Sequence, residues 1–174
     1  MQKILNFIKK NKQFSFFFLL VILLIFVAVF APVIAPQDPY VSDLKNALQA
    51  PNSEHWFGTD KLGRDIFSRL LYGGRTSVLT GLSVAIVSAA VGVTLGCISG
   101  YFGGIIDNLI MRFTDIMMSF PFLIIAIAIM AALGSSQKNI VIALAIVSWP
   151  RFARLTRGQV LSIKTQEYVE SANT

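Results

Sequence analysis

Apolar and polar positions along this chain separate into long blocks, without the short alternations of a soluble domain. From Phe14 to Gln37 there is no ionisable side chain. A helix rises about 1.5 Å per residue, so this run covers the roughly 30 Å hydrocarbon core of a bilayer. Further apolar blocks span about 77–101 and 113–133, and a last one starts at Ile140. That last block is short, reaching about Arg151, and its helix is expected to continue into the arginine-bearing stretch to about residue 156. Backbone groups in lipid must be hydrogen-bonded internally, which leaves helices or closed-barrel strands, and these blocks are too long for strands. The pattern predicts an all-α integral membrane protein, a helical bundle with spans at 14–35, 77–101, 113–133 and 140–156. Pro121 is expected to bend the third span and Pro150 to kink the fourth.

Composition supports this reading. The chain is 55% hydrophobic and only 14% charged, with a mean hydropathy of +0.67. Its formal net charge of +6 could suggest nucleic acid, but the basic residues flank apolar blocks and form no stripe interleaved with aromatics. No nucleic-acid partner is expected. Cys97 is the single cysteine and lies within an apolar block, which predicts a packed side chain, no internal disulfide and no metal site. Lys3, Lys9, Lys10 and Lys12 precede the first block like the basic region of a signal peptide. That block is longer than an ordinary signal core, so it is expected to stay uncleaved.

Charge also sets an expected topology. Residues 1–13 carry lysines and no acid, and Arg151, Arg154, Arg157 and Lys164 follow the last block, so both ends are expected on the cytoplasmic side. The connection 36–76 then lies outside. It is charge-balanced, with Lys45, Lys61, Arg64, Arg69 and Arg75 against Asp38, Asp43, Glu54, Asp60 and Asp65.

Within that connection, HWFGTDKLGRD holds the only histidine and has the density of polar groups found in catalytic sites. His55, Asp60 and Asp65 could act as base and orienter in a membrane enzyme. No serine or cysteine nucleophile and no second metal ligand stands beside them, and Gly58 and Gly63 read as turn residues. The expectation is a non-enzymatic, turn-rich cap in which Asp60, Arg64 and Asp65 form an internal ion-pair cluster.

Other patterns point to packing. Ser88, Gly92, Gly96 and Gly100 recur every four residues, with Gly81, Ala85 and Ala89 on a neighbouring line. Small residues at this spacing let helix backbones approach closely, within the chain or at a partner, and predict a second span that faces little lipid. Near the start of the third span, Arg112 and Asp115 are three apart and are expected to pair on one helix face, with Asp107 nearby. After Gly158, residues 165–174 have the pattern of a short amphipathic helix. A helix this short needs a docking partner, and the acidic Glu167 and Glu170 disfavour an anionic membrane surface.

Several motifs resemble one family. EYVESA, from Glu167 to Ala172, resembles the start of the EAA motif of ABC importer permeases, E-x-x-x-A-A followed by glycine, with Ser171 where the first alanine is usual. Its lead-in, SWPRFARLTRGQVLSIKTQ, is similar to that of dipeptide and oligopeptide permeases. HWFGTDKLGRDIFSRLLYGGRTSV resembles the outer-loop signature GTDxxGRDxxSRxxYGxRxS of their C-type subunit. The match falls on Gly58, Thr59, Asp60, Gly63, Arg64, Asp65, Ser68, Arg69, Tyr72, Gly73, Arg75 and Ser77. YFGGIIDNLIMRFTDIMMSFP, from Tyr101 to Pro121, also looks like that subfamily, and the resemblance covers nearly everything after Pro32.

The resemblance implies a multi-pass permease of a bacterial or archaeal plasma membrane. Its expected partners are membrane lipid, a homologous permease subunit, two cytoplasmic ATPase subunits and an external solute-binding protein. The chain has no G-x-x-x-x-G-K-[ST] phosphate loop, so no cofactor of its own is expected and ATP is assigned to the ATPase subunits. Glu167, Tyr168, Val169, Glu170 and Ala172 are the expected ATPase contact. Tyr168 and Val169 would be its apolar anchors, with Glu167 and Glu170 fixing orientation. The substrate could be dipeptide, oligopeptide, nickel or another small solute. Members generally carry six membrane helices, of which about four are expected here. The sequence stops at Thr174, inside the motif and before its glycine. That end fits a truncated gene, a frameshifted product or a fragment, so a nonfunctional remnant is an alternative to a working subunit.

Overall fold

The computed structural model describes residues 11–166. The EAA-like residues Glu167, Tyr168, Val169, Glu170 and Ala172 lie outside the described residues. Among the described residues the order is α1 (Lys12–Ile34), a 3₁₀ turn (Leu44–Asn46), α2 (Ile66–Phe102), α3 (Gly104–Ser119), α4 (Phe122–Leu133) and α5 (Gln137–Lys164). The only β-pairing among them is an isolated bridge between Thr59 and Asp65. The fold is all-α, and the chain divides into two compact units, 1–79 and 80–174.

In the first unit, α1 is 23 residues of almost uniformly apolar sequence. At 1.5 Å per residue it is about 35 Å long, enough to cross a bilayer. Only Ala28 and Ala31 are buried within the chain, so its phenylalanines and leucines are left for lipid or partners. The helix ends where Ala35 precedes Pro36. A proline ring disfavours helical backbone in the residue before it, and Ala35 is extended (ψ 122°) while its N–H still bonds the Ala31 carbonyl. The Gln37 N–H donates to Ser68 Oγ at 3.2 Å, tying the exit of α1 to the first turn of α2.

In the second unit, α5 packs against α3 and α4. It buries Ala143, Ala145, Val147, Trp149, Pro150 and Ala153, and Trp149 stacks on Phe113 with centroids 5.9 Å apart. The helix runs through Pro150 and on past Gly158 to Lys164, so the basic stretch after the apolar block is helical. Ser136 caps its start, accepting the Asn139 N–H at 3.2 Å.

The structure corrects several expectations. The third span is not one helix over 113–133. α3 begins at Gly104, and at Phe120–Pro121 the chain turns by 89° into α4. Phe120 is extended (ψ 145°) because it precedes proline. Two described helices, α1 and α2, are long and apolar enough to cross a membrane, and the count reaches three if the bent α3–α4 pair forms one span. The unbroken apolar part of α5 is only Ile140–Val147, about 12 Å long. Nor is α2 enclosed among helices of this chain. Its Leu82, Ile86, Val87, Val91 and Val93 are all exposed, and burial follows one stripe. Cys97 falls off that stripe and is exposed, where a packed side chain was expected.

Candidate functional site

Two regions gather the polar residues singled out by sequence. The first is the loop between α1 and α2, within the first unit. Thr59 organises it. Its N–H bonds the Gln49 carbonyl at 3.1 Å, and its hydroxyl accepts from the Gln49 N–H at 2.9 Å and donates to the Asn46 carbonyl. The Asp60 carbonyl accepts the Leu48 N–H at 3.1 Å, so residues 46–49 are held against residues 59–60. Gly58 (φ +73°) and Gly63 (φ +74°) occupy left-handed backbone conformations. A Cβ on Gly63 would strike the Asp43 carbonyl, and one on Gly58 the Gln49 carbonyl, so both turns require glycine.

Asp60 closes the tight turn. Its Oδ1 accepts the Leu62 and Arg64 N–H groups at 2.8 and 3.0 Å, and its Oδ2 accepts the Arg64 guanidinium at 2.8–2.9 Å and pairs with Arg69. Burial pushes the Asp60 carboxyl up. The hydrogen bonds from the Arg64 side chain and backbone and from Leu62, with the Arg64 charge, outweigh burial and hold it below the usual carboxylate range.

Asp65 caps α2. Its Oδ2 accepts the Ser68 N–H at 2.7 Å, as an N-cap residue does, and its Oδ1 lies 3.1 Å from His55 Nδ1. The Asp65 side chain is 1% exposed. Burial raises its carboxyl, but bonds from the Ser68 backbone and hydroxyl and from His55 outweigh burial, so it too lies below the ordinary range. The histidine and carboxylates therefore form two separate structural clusters, with Asp60 held by arginines and Asp65 by a helix end and His55. Arg64 pairs with Asp60, and among the described residues it makes no ion pair with Asp65. The loop surrounds a cavity of about 290 Å³ lined by Asp38, Asp43, Glu54, His55 and Asp65. A second cavity of about 310 Å³ is lined by Tyr40, Arg64, Arg69, Tyr72 and Thr76.

The second region lies in the unit 80–174, where α5 meets α2 and α3. Gly92, Gly96, Ser99 and Gly100 are buried. A Cβ on Gly92 would come 2.5 Å from Phe152 Cβ and 2.6 Å from the Trp149 carbonyl. One on Gly96 would come 2.5 Å from the Ala153 carbonyl, and one on Gly100 would come 2.8 Å from Val160 Cβ. The glycines thus line the contact with α5, along which backbone meets backbone. Ser88 on the same line is fully buried, and its hydroxyl has no hydrogen-bond partner among the described residues.

Ion pairs accompany this seam. Arg157 on α5 binds Asp107 on α3 in bidentate fashion, Nε to Oδ1 at 2.5 Å and one terminal nitrogen to Oδ2 at 2.6 Å. Ser99 on α2 donates to the same Asp107 Oδ1 at 2.5 Å. Asp115 pairs with Arg154 at 2.5 Å, which corrects the expected Arg112–Asp115 pair. Its carboxylate meets the charge arriving on α5, from 39 residues away, rather than its neighbour on α3. Lys164 donates to the Tyr101 carbonyl at 3.0 Å, placing a cation at the C-terminal end of α2 where carbonyls lack helical partners. The roles of Asp107 and Arg157 as partners were not legible from spacing.

Comparison with known proteins shows what the chain is similar to. Residues 92–174 match the family described as binding-protein-dependent transport system inner membrane component. Residues 1–51 match the N-terminal TM domain of oligopeptide transport permease C. The chain is 44% identical over 165 residues to the dipeptide transport system permease protein DppC of Alkalihalophilus pseudofirmus, covering 95% of this chain and 54% of that protein. It is 40% identical over 166 residues to the oligopeptide transport system permease protein OppC of Bacillus subtilis, covering 95% of this chain and 54% of that protein. It is 48% identical over 157 residues to the glutathione transport system permease protein GsiD of Shigella boydii, covering 90% and 52%.

The chain is similar to these permeases along most of its length.

It spans about half the length of the curated relatives it matches. Those relatives are transport system permease proteins. The family matched by residues 92–174 is one of inner membrane components of transport systems, and α1 and α2 are long and apolar enough to span a bilayer.

Proposed function

We propose that this permease is the C-type subunit of an ATP-driven, binding-protein-dependent importer of dipeptides, oligopeptides or similar small solutes. In this reading it lines part of the translocation pathway beside a homologous permease subunit. The N-terminus and residues 165–174 face the cytoplasm, where Glu167, Tyr168, Val169, Glu170 and Ala172 dock on an ATPase subunit that supplies the ATP site. The loop between α1 and α2 faces outward, and its acidic and its arginine–tyrosine cavities offer polar surfaces to a solute-binding protein.

The observation that carries the reading is the anchoring of α5. The helix that leads directly into residues 165–174 is held to α2 by backbone-close glycine contacts and to α3 by the Arg157–Asp107 pair. A displacement of that segment by an ATPase subunit is therefore passed to helices in the membrane, because a tightly packed seam transmits strain rather than absorbing it. Transmission also requires that the docked segment differ in contact energy between two states.

The test is the combined variant Tyr168→Ala with Glu170→Lys in the assembled importer, read as ATPase activity stimulated by peptide-loaded binding protein. Loss of stimulation with retained basal hydrolysis is expected. Unchanged stimulation would remove the assignment of this segment.

A further inference from the structure

The break between α2 and α3 is where three helices meet on one carboxylate. α2 ends at Phe102 and α3 begins at Gly104. Across that break Ser99, in the last turn of α2, donates to Asp107, in the first turn of α3. The same carboxylate takes both nitrogens of the Arg157 fork from α5. Arg157 can reach it because the helix backbones are close at this level. A Cβ on Gly96 would lie 3.1 Å from the Arg157 nitrogen, and one on Gly100 would lie 3.2 Å from its carbonyl. Two turns further along α5, Lys164 holds the Tyr101 carbonyl at the end of α2.

This arrangement is better suited to setting position than to adding stability. A bidentate arginine–carboxylate pair fixes direction as well as distance. Desolvation offsets much of the Coulomb gain of a partly buried pair, and its best-attested use is to specify register. The Asp107 and Arg157 side chains are 15% and 32% exposed, so the pair is shielded without being sealed. The Arg154–Asp115 pair on the same helices is 49% and 59% exposed and serves as an internal contrast.

We propose that Asp107, gripped by Ser99 and Arg157, is the positioning residue that sets the rotation of α5, the helix that precedes the expected ATPase contact, so that opening this latch uncouples ATP hydrolysis from transport. The proposal rests on the importer reading above. Among the described residues, Arg157 and Lys164 are the basic side chains of α5 with partners at the α2–α3 corner, and Arg157 alone binds there in bidentate fashion. Arg157 acts through Asp107 and is not itself assigned to the ATPase contact.

The experiment uses the complete importer in proteoliposomes and measures ATPase stimulation by peptide-loaded binding protein together with peptide taken up per ATP hydrolysed. Asp107→Asn is expected to retain the ATPase subunits at wild-type level while stimulation and uptake per ATP fall about tenfold, within the usual range of coupling energies. The exchange Asp107→Arg with Arg157→Asp is expected to restore both to within about threefold, as a direct pairwise interaction requires. Arg154→Ala is expected to leave both unchanged. A coupled wild type with an equally coupled Asp107→Asn variant overturns the latch, as does an Arg154→Ala variant that loses coupling to the same extent. If Asp107→Asn fails to assemble, Ser99→Ala decides, since it keeps the ion pair and removes one hydrogen bond. A partial loss of coupling there supports the latch, and none overturns it. A wild-type complex with no stimulation overturns the importer reading itself, a result distinct from both.

Discussion

Gly96 faces the backbone of Ala153 so closely that a Cβ on it would sit 2.5 Å from the Ala153 carbonyl oxygen. Neither the carbonyl nor the adjoining Thr156 Cβ is the flexible end of a side chain, so the helices must separate to admit any larger residue. Gly96→Ala is expected to destabilise the protein by about 1–3 kcal/mol, as overpacking of a close-packed site does. Thermal unfolding of the purified protein in detergent measures this. Gly81→Ala, at a position with open space around it, is the control and is expected to unfold at the wild-type temperature or above.

Asp65→Ala removes the cap on the Ser68 N–H and the partner of His55. Loss of an N-cap side chain costs about 1 kcal/mol, within a range of roughly 0.5–2. The expected result is a lower unfolding temperature and faster amide exchange confined to residues 55–69, measured by hydrogen exchange with mass spectrometry. Asn is also an accepted N-cap, so Asp65→Asn is expected to lose less than Asp65→Ala.

The Asp60 and Asp65 carboxyls both lie below their ordinary value in the folded loop. A depressed carboxyl contributes stability that is fully present above the unfolded value of about 3.9 and is lost as pH falls through the folded value. The contribution of these two carboxyls is therefore expected to be constant above about pH 5 and to be lost only in more acidic solution. Trp56, which packs on Phe67 at 5.1 Å between centroids, reports this by fluorescence in a Trp149→Phe background. In the Asp65→Asn variant the acid transition is expected to be shallower, because one of the linked protons is gone.

Arg154→Ala removes an ion pair whose partners are about half exposed. Such pairs are worth roughly 0–1 kcal/mol, and salt screens them further. Thermal unfolding is expected to shift by a degree or two at most, and that difference is expected to vanish in about 1 M salt. A shift as large as that of Gly96→Ala would mean that exposed charge matters as much to stability as the glycine seam, contrary to expectation.

How much of this was legible before the structure differs by element. The first span was legible because an uncharged apolar run of that length has few other fates. The turns at Gly58 and Gly63 were legible because a glycine among polar residues signals special backbone. The start of α3 at Gly104 was not, because Asp107, Arg112 and Asp115 interrupt the apolar pattern that marks a span. Pro121 signalled a bend, but a bend of 89° is set by how α4 packs on α5, which local sequence does not carry. The pairing of Asp115 was misread for the same reason. Arg112 is near in sequence, whereas Arg154 is brought near only by the seam of α3 and α5. The grip of Asp107 on Arg157, across 50 residues, needed that seam as well.

The central claim, that this permease works in an ATP-driven importer of peptides, is tested most directly by uptake. Proteoliposomes holding the purified complex, with ATP inside and solute-binding protein outside, are offered a mixed pool of dipeptides and oligopeptides, and the accumulated peptides are measured by mass spectrometry. Concentration of some of these peptides inside the vesicles, dependent on ATP and on the binding protein, is the predicted result. Accumulation that is equal with and without ATP, in a complex that hydrolyses ATP, would contradict it.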